Sequence, residues 1–212
     1  MKKTFKAIIS VLLVAVIVVA CFTACSNNES KSDKVYKVGI CQLTQHEALD
    51  AATKGFRDAL TEKLGDKVVF DEQNASGEST NCTTIVSKFV SDKVDLILAN
   101  ATPALTAATE ATSTIPIVGT SITDYATALA ISDWNGKTGI NVTGTADLAP
   151  LKDQAAMIKE LVPNAKTVGI LYCSAEPNSK YQSDIVKSEL EALGYEVKVF
   201  TFVDSNDVLA VT

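Results

Sequence analysis

Few side chains in this 212-residue chain could do chemistry, and most of those are hydroxyls and amides rather than acids and bases. They gather in four short stretches: Gln42 to Glu47, Asn100 to Pro103, Thr120 to Tyr125 and Ser174 to Ser179. Hydroxyls beside the free N–H groups of a helix start make a neutral anion site suited to a carboxylate, and Thr102, Thr120, Ser121 and Thr123 are the obvious set. Two acids in the same stretches, Asp124 and Glu176, suit the opposite task of neutralising an ammonium group. Each has a plainer use as well: Thr44 and Thr102 as helix caps, Asp124 as the cap of a segment from Tyr125, and Glu176 in the same way. His46 is the only histidine and falls inside a capping turn with no acid partner in sight. It therefore reads as a solvated or ligand-adjacent imidazole rather than a general base.

Motifs for catalysis and metal binding are missing. The sequence has no G-x-S-x-G elbow, Walker loop, G-x-G-x-x-G after a strand or H-E-x-x-H. Beyond the first 25 residues the cysteines are Cys41, Cys82 and Cys173, an odd number without C-x-x-C spacing, which indicates neither a disulfide framework nor a zinc site. Cys41 and Cys173 each end an apolar run, where a small buried hydrophobe is expected. The expectation is a binder rather than an enzyme, with no cofactor and no metal.

An internal repeat supplies the elements that must position these loops. Val38-Gly39-Ile40-Cys41 leads through an amphipathic segment ending Leu64-Gly65 into Val68-Val69-Phe70, and Val168-Gly169-Ile170-Leu171 leads through another ending Leu193-Gly194 into Val197-Lys198-Val199. That length suits a βαβ unit. Thr44-Gln45-His46-Glu47 has the form of a capping box; Leu49, Ala52, Phe56, Leu60 and Leu64 follow as an apolar stripe, and Gly65 stops it. Ile185, Val186, Leu190 and Leu193 repeat the stripe before Gly194. Between the units come a helix near Thr80 to Ser91, a strand Val94 to Leu98, a helix opened by Thr102-Pro103 and a strand Ile117 to Gly119. Strand–helix alternation predicts parallel α/β sheets with helices on both faces, and the repeat predicts two of them. The expected division is 35–145 for a first lobe and 146–212 for the first half of a second, so that the second lobe is truncated and the chain is an N-terminal fragment.

The first residues read as an export leader. Three lysines precede an apolar run, Ala7 to Ala20, and the stretch closes on Phe22-Thr23-Ala24-Cys25, so residues 1–24 are expected to be a lipoprotein signal peptide. Cys25 is the expected lipid acceptor, with Val18-Val19-Ala20-Cys21 as a second candidate. The apolar run, about 14 residues, is short of the roughly 20 a spanning helix needs. Residues 25–34 are polar and read as a tether; about nine such residues span roughly 15–20 Å. Without residues 1–24, which carry three of the lysines and none of the acids, the formal charge falls from −6 to −9, with 16 basic against 25 acidic residues. So acidic a domain, with no basic stripe, is a poor nucleic-acid binder.

At these same loops the sequence resembles a known family. Cys41-Gln42-Leu43-Thr44-Gln45-His46-Glu47-Ala48-Leu49-Asp50, Leu96-Ile97-Leu98-Ala99-Asn100-Ala101-Thr102-Pro103-Ala104-Leu105, Gly119-Thr120-Ser121-Ile122-Thr123-Asp124-Tyr125 and Gly169-Ile170-Leu171-Tyr172-Cys173-Ser174-Ala175-Glu176-Pro177-Asn178-Ser179 are similar to the substrate-binding lipoproteins of ABC importers in the tryptophan/tyrosine-binding group. The resemblance implies a type I periplasmic-binding fold, two Rossmann-like lobes with parallel sheets that close over a small ligand, continuing beyond the point that matches Thr212. It implies an aromatic amino acid held by its carboxylate and ammonium. First-lobe contacts would come from Gln42, Thr44, His46, Ala101, Thr102, Thr120, Ser121, Thr123 and Asp124, and second-lobe contacts from Glu176, Asn178 and Ser179. Tyr125, Tyr172 and Tyr181 either stack on the ring or serve as packing residues. Permease and ATPase subunits are the implied partners, with the protein outside the cytoplasm and lipid-anchored to the cell membrane. A ligand-sensing domain coupled to a signalling protein and a secreted α/β enzyme are the alternatives.

Overall fold

The computed structural model describes residues 34–203 and 206–211, so the leader, both candidate lipid acceptors Cys21 and Cys25, and nearly all of the tether lie outside the described residues. Strands β1 (Tyr36–Gln42), β2 (Val68–Asn74), β3 (Leu96–Asn100), β4 (Ile117–Ile122) and β5 (Val142–Ala146) form one parallel sheet in the order β2-β1-β3-β4-β5. Period-two alternation along the strands gives each face its own core. Val38, Ile40 and Leu98 point to the face covered by helix α1 (Glu47–Leu64), where Phe56, Leu60 and Leu64 meet them. Cys41, Ile97 and Ala99 point to the other face, under α2 (Ser79–Ser91), α3 (Thr102–Ala111) and the short α4 (Tyr125–Ala128).

Two of these contacts need glycine. Gly39 lies beneath the Phe89 ring, whose atoms would stand 2.6 Å from a Cβ at that position. Gly119 and Gly144 pair in register across β4 and β5, and a Cβ on either would collide with the Tyr125 hydroxyl, at 2.4 Å and 2.1 Å. That hydroxyl is held at 3.4 Å from the Thr145 carbonyl, and burial with the nearby Asp147 charge pushes the phenol up to about 12.

The second sheet consists of β6 (Thr167–Cys173) and β7 (Glu196–Phe202), again parallel, packed by α5 (Leu151–Leu161) and α6 (Pro177–Ala192). Ala155, Leu190 and Tyr195 form its core with Ile158, Val168, Ile170, Val186 and Val197 around them. The predicted repeat is thus present as β1-α1-β2 and β6-α6-β7, with Gly39 opposite Asp71 and Gly169 opposite Lys198. Helix α7 (Val208–Val211) ends the described chain.

Several expectations need correction. Helix α1 starts at Glu47 with His46, not Thr44, as its cap: Nδ1 of His46 accepts from the Ala48 N–H at 3.2 Å. The Gln42 amide donates to the Thr44 carbonyl at 2.8 Å, which ties Thr44 into the preceding loop and delays the helix. Strand β4 runs to Ile122, so Thr120 and Ser121 belong to a strand rather than a loop. Leu193, placed on the apolar stripe of α6, is 37% exposed, because α6 ends at Ala192 and Gly194 turns the chain at φ 91°. Cys41 and Cys82 are fully buried, but Cys173 is only half-buried and its Sγ lies 3.2 Å from the Val203 carbonyl, at the sheet's loop end rather than in its core. A hydrogen bond to Cys82, with burial, holds the Cys41 thiol above the ordinary thiol range.

Replacing Gly39 by alanine is expected to lower stability by about 1–3 kcal/mol through overpacking against Phe89. Chemical denaturation measures it, and the double change Gly39→Ala with Phe89→Leu should recover part of the loss.

Candidate functional site

The loops that follow the carboxyl ends of parallel strands are where such sheets bind ligands, and in this chain a buried polar knot fixes them. Gln42 ends β1 and Asn100 ends β3, side by side in register. Between them and α1 stands Thr53, 3% exposed, whose hydroxyl donates to Oε1 of Gln42 at 2.7 Å and accepts from Nδ2 of Asn100 at 2.9 Å. The same Asn100 amide donates to the Leu49 carbonyl at 2.8 Å, and Nε2 of Gln42 donates to Oδ1 of Asp50 at 2.6 Å. Buried amides are costly unless paired, so this set constrains how β1, β3, the Gln42–His46 loop and α1 meet, although Oδ1 of Asn100 is buried without a partner among the described residues. Thr53 was not singled out from the sequence. Its spacing from Leu49, Phe56 and Leu60, on the apolar stripe, was the available signal.

Beyond β3 the chain enters α3 through Ala101 at φ 91°, a conformation that costs a residue with a Cβ about 1–3 kcal/mol. Its N–H donates to the Thr120 carbonyl at 3.0 Å, which joins the starts of the β3 and β4 loops. Thr102, 2% exposed, follows as the first helical residue, and its hydroxyl finds no partner among the described residues. On β4, Ser121 sits at φ 57° and Thr123 is buried. Asp124 caps α4, Oδ1 accepting from the Thr127 N–H at 2.7 Å, so the structural use of that carboxylate is realised.

A cavity of about 890 Å³ lies between loops of the two sheets. Thr44, Glu176 and Ser179 line it; the other nine residues singled out from the sequence do not. Gln42 is committed to the knot. His46 is an exposed cap, while Ala101, Thr102, Thr120, Ser121, Thr123 and Asp124 lie around the starts of α3 and α4. Asn178, in the first turn of α6, has its Oδ1 buried without a partner among the described residues. Oγ of Ser179 donates to the Glu176 carboxylate at 2.8 Å.

Much of the first-sheet wall comes from the loop Ser76 to Glu78, which was not singled out from the sequence, and from Ser79 and Thr80 at the start of α2. Oδ1 of Asn74 accepts from the Ser76 N–H at 2.8 Å, Ser76 and Gly77 take φ 55° and 86°, and the Gly77 N–H donates to the Leu43 carbonyl at 2.8 Å. The signal was Asn74-Ala75-Ser76-Gly77, a cluster of turn formers directly after a strand. The second-sheet wall includes Leu171, Tyr172 and Cys173 of β6, whose outer edge pairs with no strand among the described residues. Of the three tyrosines considered for ring contact, Tyr172 lines this cavity, Tyr125 packs on Gly119 and Gly144, and Tyr181 reaches neither position. Among the described residues no three metal-ligating side chains come together.

Comparison with known proteins places this geometry. The sequence family described as ABC transporter substrate binding protein matches residues 37–212. The chain is 38% identical over 205 residues to a tyrosine-binding protein of Clostridioides difficile (strain R20291), covering 91% of this chain and 59% of the relative's length. It is also similar to a conserved domain protein from Vibrio cholerae O1 biovar El Tor, with TM-score 0.78 at 34% identity over 84% of this chain and 61% of the other. A third similar structure is an ABC domain in complex with L-Trp from Streptococcus pneumoniae, with TM-score 0.77 at 35% identity over 84% and 60%.

Thr53→Val removes the hub of the knot and leaves Gln42 and Asn100 short of partners. The expected loss is about 1–3 kcal/mol in a denaturation midpoint experiment, with Thr53→Ser, which keeps the hydroxyl, well below it.

Proposed function

This chain belongs to the ABC transporter substrate-binding protein family, with its type I periplasmic-binding fold, and on that premise we propose that it is the extracytoplasmic receptor of an importer for an aromatic amino acid. The observation that carries the proposal is the cavity between the two sheets, where loops from both supply hydroxyls and carboxylates and Tyr172 supplies a ring. The relatives with tyrosine in the name and L-Trp in the complex set the ligand class.

In this reading the lobes are residues 35–145 and 146–212, and the ligand bridges them. Its carboxylate is met by hydroxyls and by N–H groups at helix starts; Ala101 and Thr102, which do not line the cavity, join this set only through a rearrangement of their loop on closure. Thr44 contributes from the first lobe, with Glu176, Asn178 and Ser179 from the second. Contacts available only when the lobes approach drive hinge closure, and the closed form is what permease and ATPase subunits respond to. Gln42 and Asp124 act in this scheme through the loops they hold.

Export and tethering complete the proposal. Cys25 carries lipid at the mature N-terminus, and residues 26–34 span the gap to the membrane surface, which keeps the receptor close to its permease.

Titration of the full-length protein with the twenty amino acids should give saturable binding of tryptophan, tyrosine or phenylalanine. Binding of none of the three would overturn the ligand assignment. In the producing cell, Cys25→Ala should move the protein from the membrane fraction into the soluble one, with Cys21→Ala leaving it at the membrane; the reverse pattern would make Cys21 the acceptor.

A further inference from the structure

The loop between α4 and β5 carries Asn135-Gly136, the one place in the sequence where glycine follows asparagine. Both residues are exposed, as is Lys137 after them. Oδ1 of Asn135 accepts from the Lys137 N–H at 3.2 Å, so the carboxamide is folded back along the peptide that joins it to Gly136. Gly136 stands at φ 84° with open space where a Cβ would be, and its N–H donates to no group among the described residues. A carboxamide carbon thus has a free and unshielded amide nitrogen as its chain neighbour. Other asparagines lack this combination. The N–H that follows Asn74 is given to the Gln42 carbonyl, that after Asn81 to Glu78, that after Asn100 to Thr120, that after Asn164 to Val162 and that after Asn178 to Glu176. Asn74 is the nearest parallel, exposed and with Oδ1 on the Ser76 N–H at 2.8 Å, but the fully buried Ala75 comes next.

We propose that Asn135 is a site of spontaneous, backbone-assisted deamidation. The Gly136 nitrogen gives its proton to hydroxide and attacks Cγ of Asn135. A new C–N bond closes a five-membered imide while the carboxamide C–N bond breaks, and ammonia leaves with a proton taken from water. Water then opens the ring at either carbonyl. One opening yields aspartate; the other yields isoaspartate, in which the main chain runs through the former side chain. The sum is one water consumed and one ammonia released, with no change of oxidation state. Either product adds a carboxylate, which takes the formal charge from −6 to −7. The isoaspartate form also lengthens the backbone by one carbon, next to Trp134, Gly136 and Lys137, which line a cavity of about 420 Å³ against β5. This chemistry is independent of what the cleft between the sheets binds.

Ageing the folded full-length protein at mildly alkaline pH, with peptide mass spectrometry and labelling by an isoaspartyl methyltransferase, tests this. The peptide that contains Asn135 should gain about one mass unit at least about tenfold faster than the peptide that contains Asn74, and faster still as pH rises. It should also accept the methyl label. Asn135→Gln, which would have to close a larger ring, should keep the melting temperature and lose both signals at that peptide. Conversion of Asn135 no faster than that of Asn74, or a methyl label that Asn135→Gln retains in full, overturns the proposal.

Discussion

Three buried polar side chains, Gln42, Thr53 and Asn100, govern the site end of the first sheet. An amide shut away from water costs more when unpaired than it contributes when paired. That asymmetry makes the arrangement nearly all-or-none: Thr53 must lie between the two amides, α1 must present it there, and β1 and β3 must end together. The loop after β1 inherits its shape, since Gln42 Nε2 reaches the Thr44 carbonyl and Asp50 at once. The β2–α2 loop is tied in as well, through the Ala75 N–H on the Gln42 carbonyl and the Gly77 N–H on the Leu43 carbonyl. The wall of the cavity is therefore held from below by groups that never reach it.

The hydrophobic contribution is less particular and larger in extent. The first sheet has apolar clusters on both faces, with Phe89, Ile97 and Leu105 fully buried on one and Ile40 and Leu98 on the other. The second sheet has one cluster, around Leu190, while Leu171 and Phe200 are each 40% exposed. A firmly packed first lobe gives the site a rigid half. The loops of the second sheet, with Glu176 and Ser179, meet it across the cavity.

Charge is distributed by a similar division of labour. On the helix surfaces acids and bases pair one turn apart, Lys180 with Asp184 and Lys187 with Glu191 on α6, and Lys88 with Asp92 on α2. Such exposed pairs contribute little to stability, but they leave the outer surface mixed in sign. Among the described residues the two acids on the cavity wall, Glu78 and Glu176, have no basic neighbour on that wall, and the Glu176 carboxylate accepts from the Ser179 hydroxyl.

How much of this was legible depends on the range of the interaction. The repeated Val-Gly-Ile units, the stripe of α1 and the stops at Gly65 and Gly194 are local patterns, and the parallel sheets they predict are present. Strand ends were less legible. Thr120 and Ser121 lie in β4 because pairing with β3 and β5 carries that strand past Gly119. Thr44 yielded the cap to His46 because a side chain two residues before it claimed its carbonyl.

The sequence by itself determined the class of the fold, its two-sheet plan and the family, because hydrophobic period and turn chemistry are set within a few residues. Tertiary structure alone decided which polar groups are consumed inside and which face the cavity. Gln42 and Asp124 look like ligand contacts in one dimension, and in the fold Gln42 also bonds Thr53 while Asp124 also caps α4. Glu78 looks like an ordinary helix start, yet it reaches the cavity wall. A polar side chain's partner depends on what lies across the fold from it, and no local pattern records that distance.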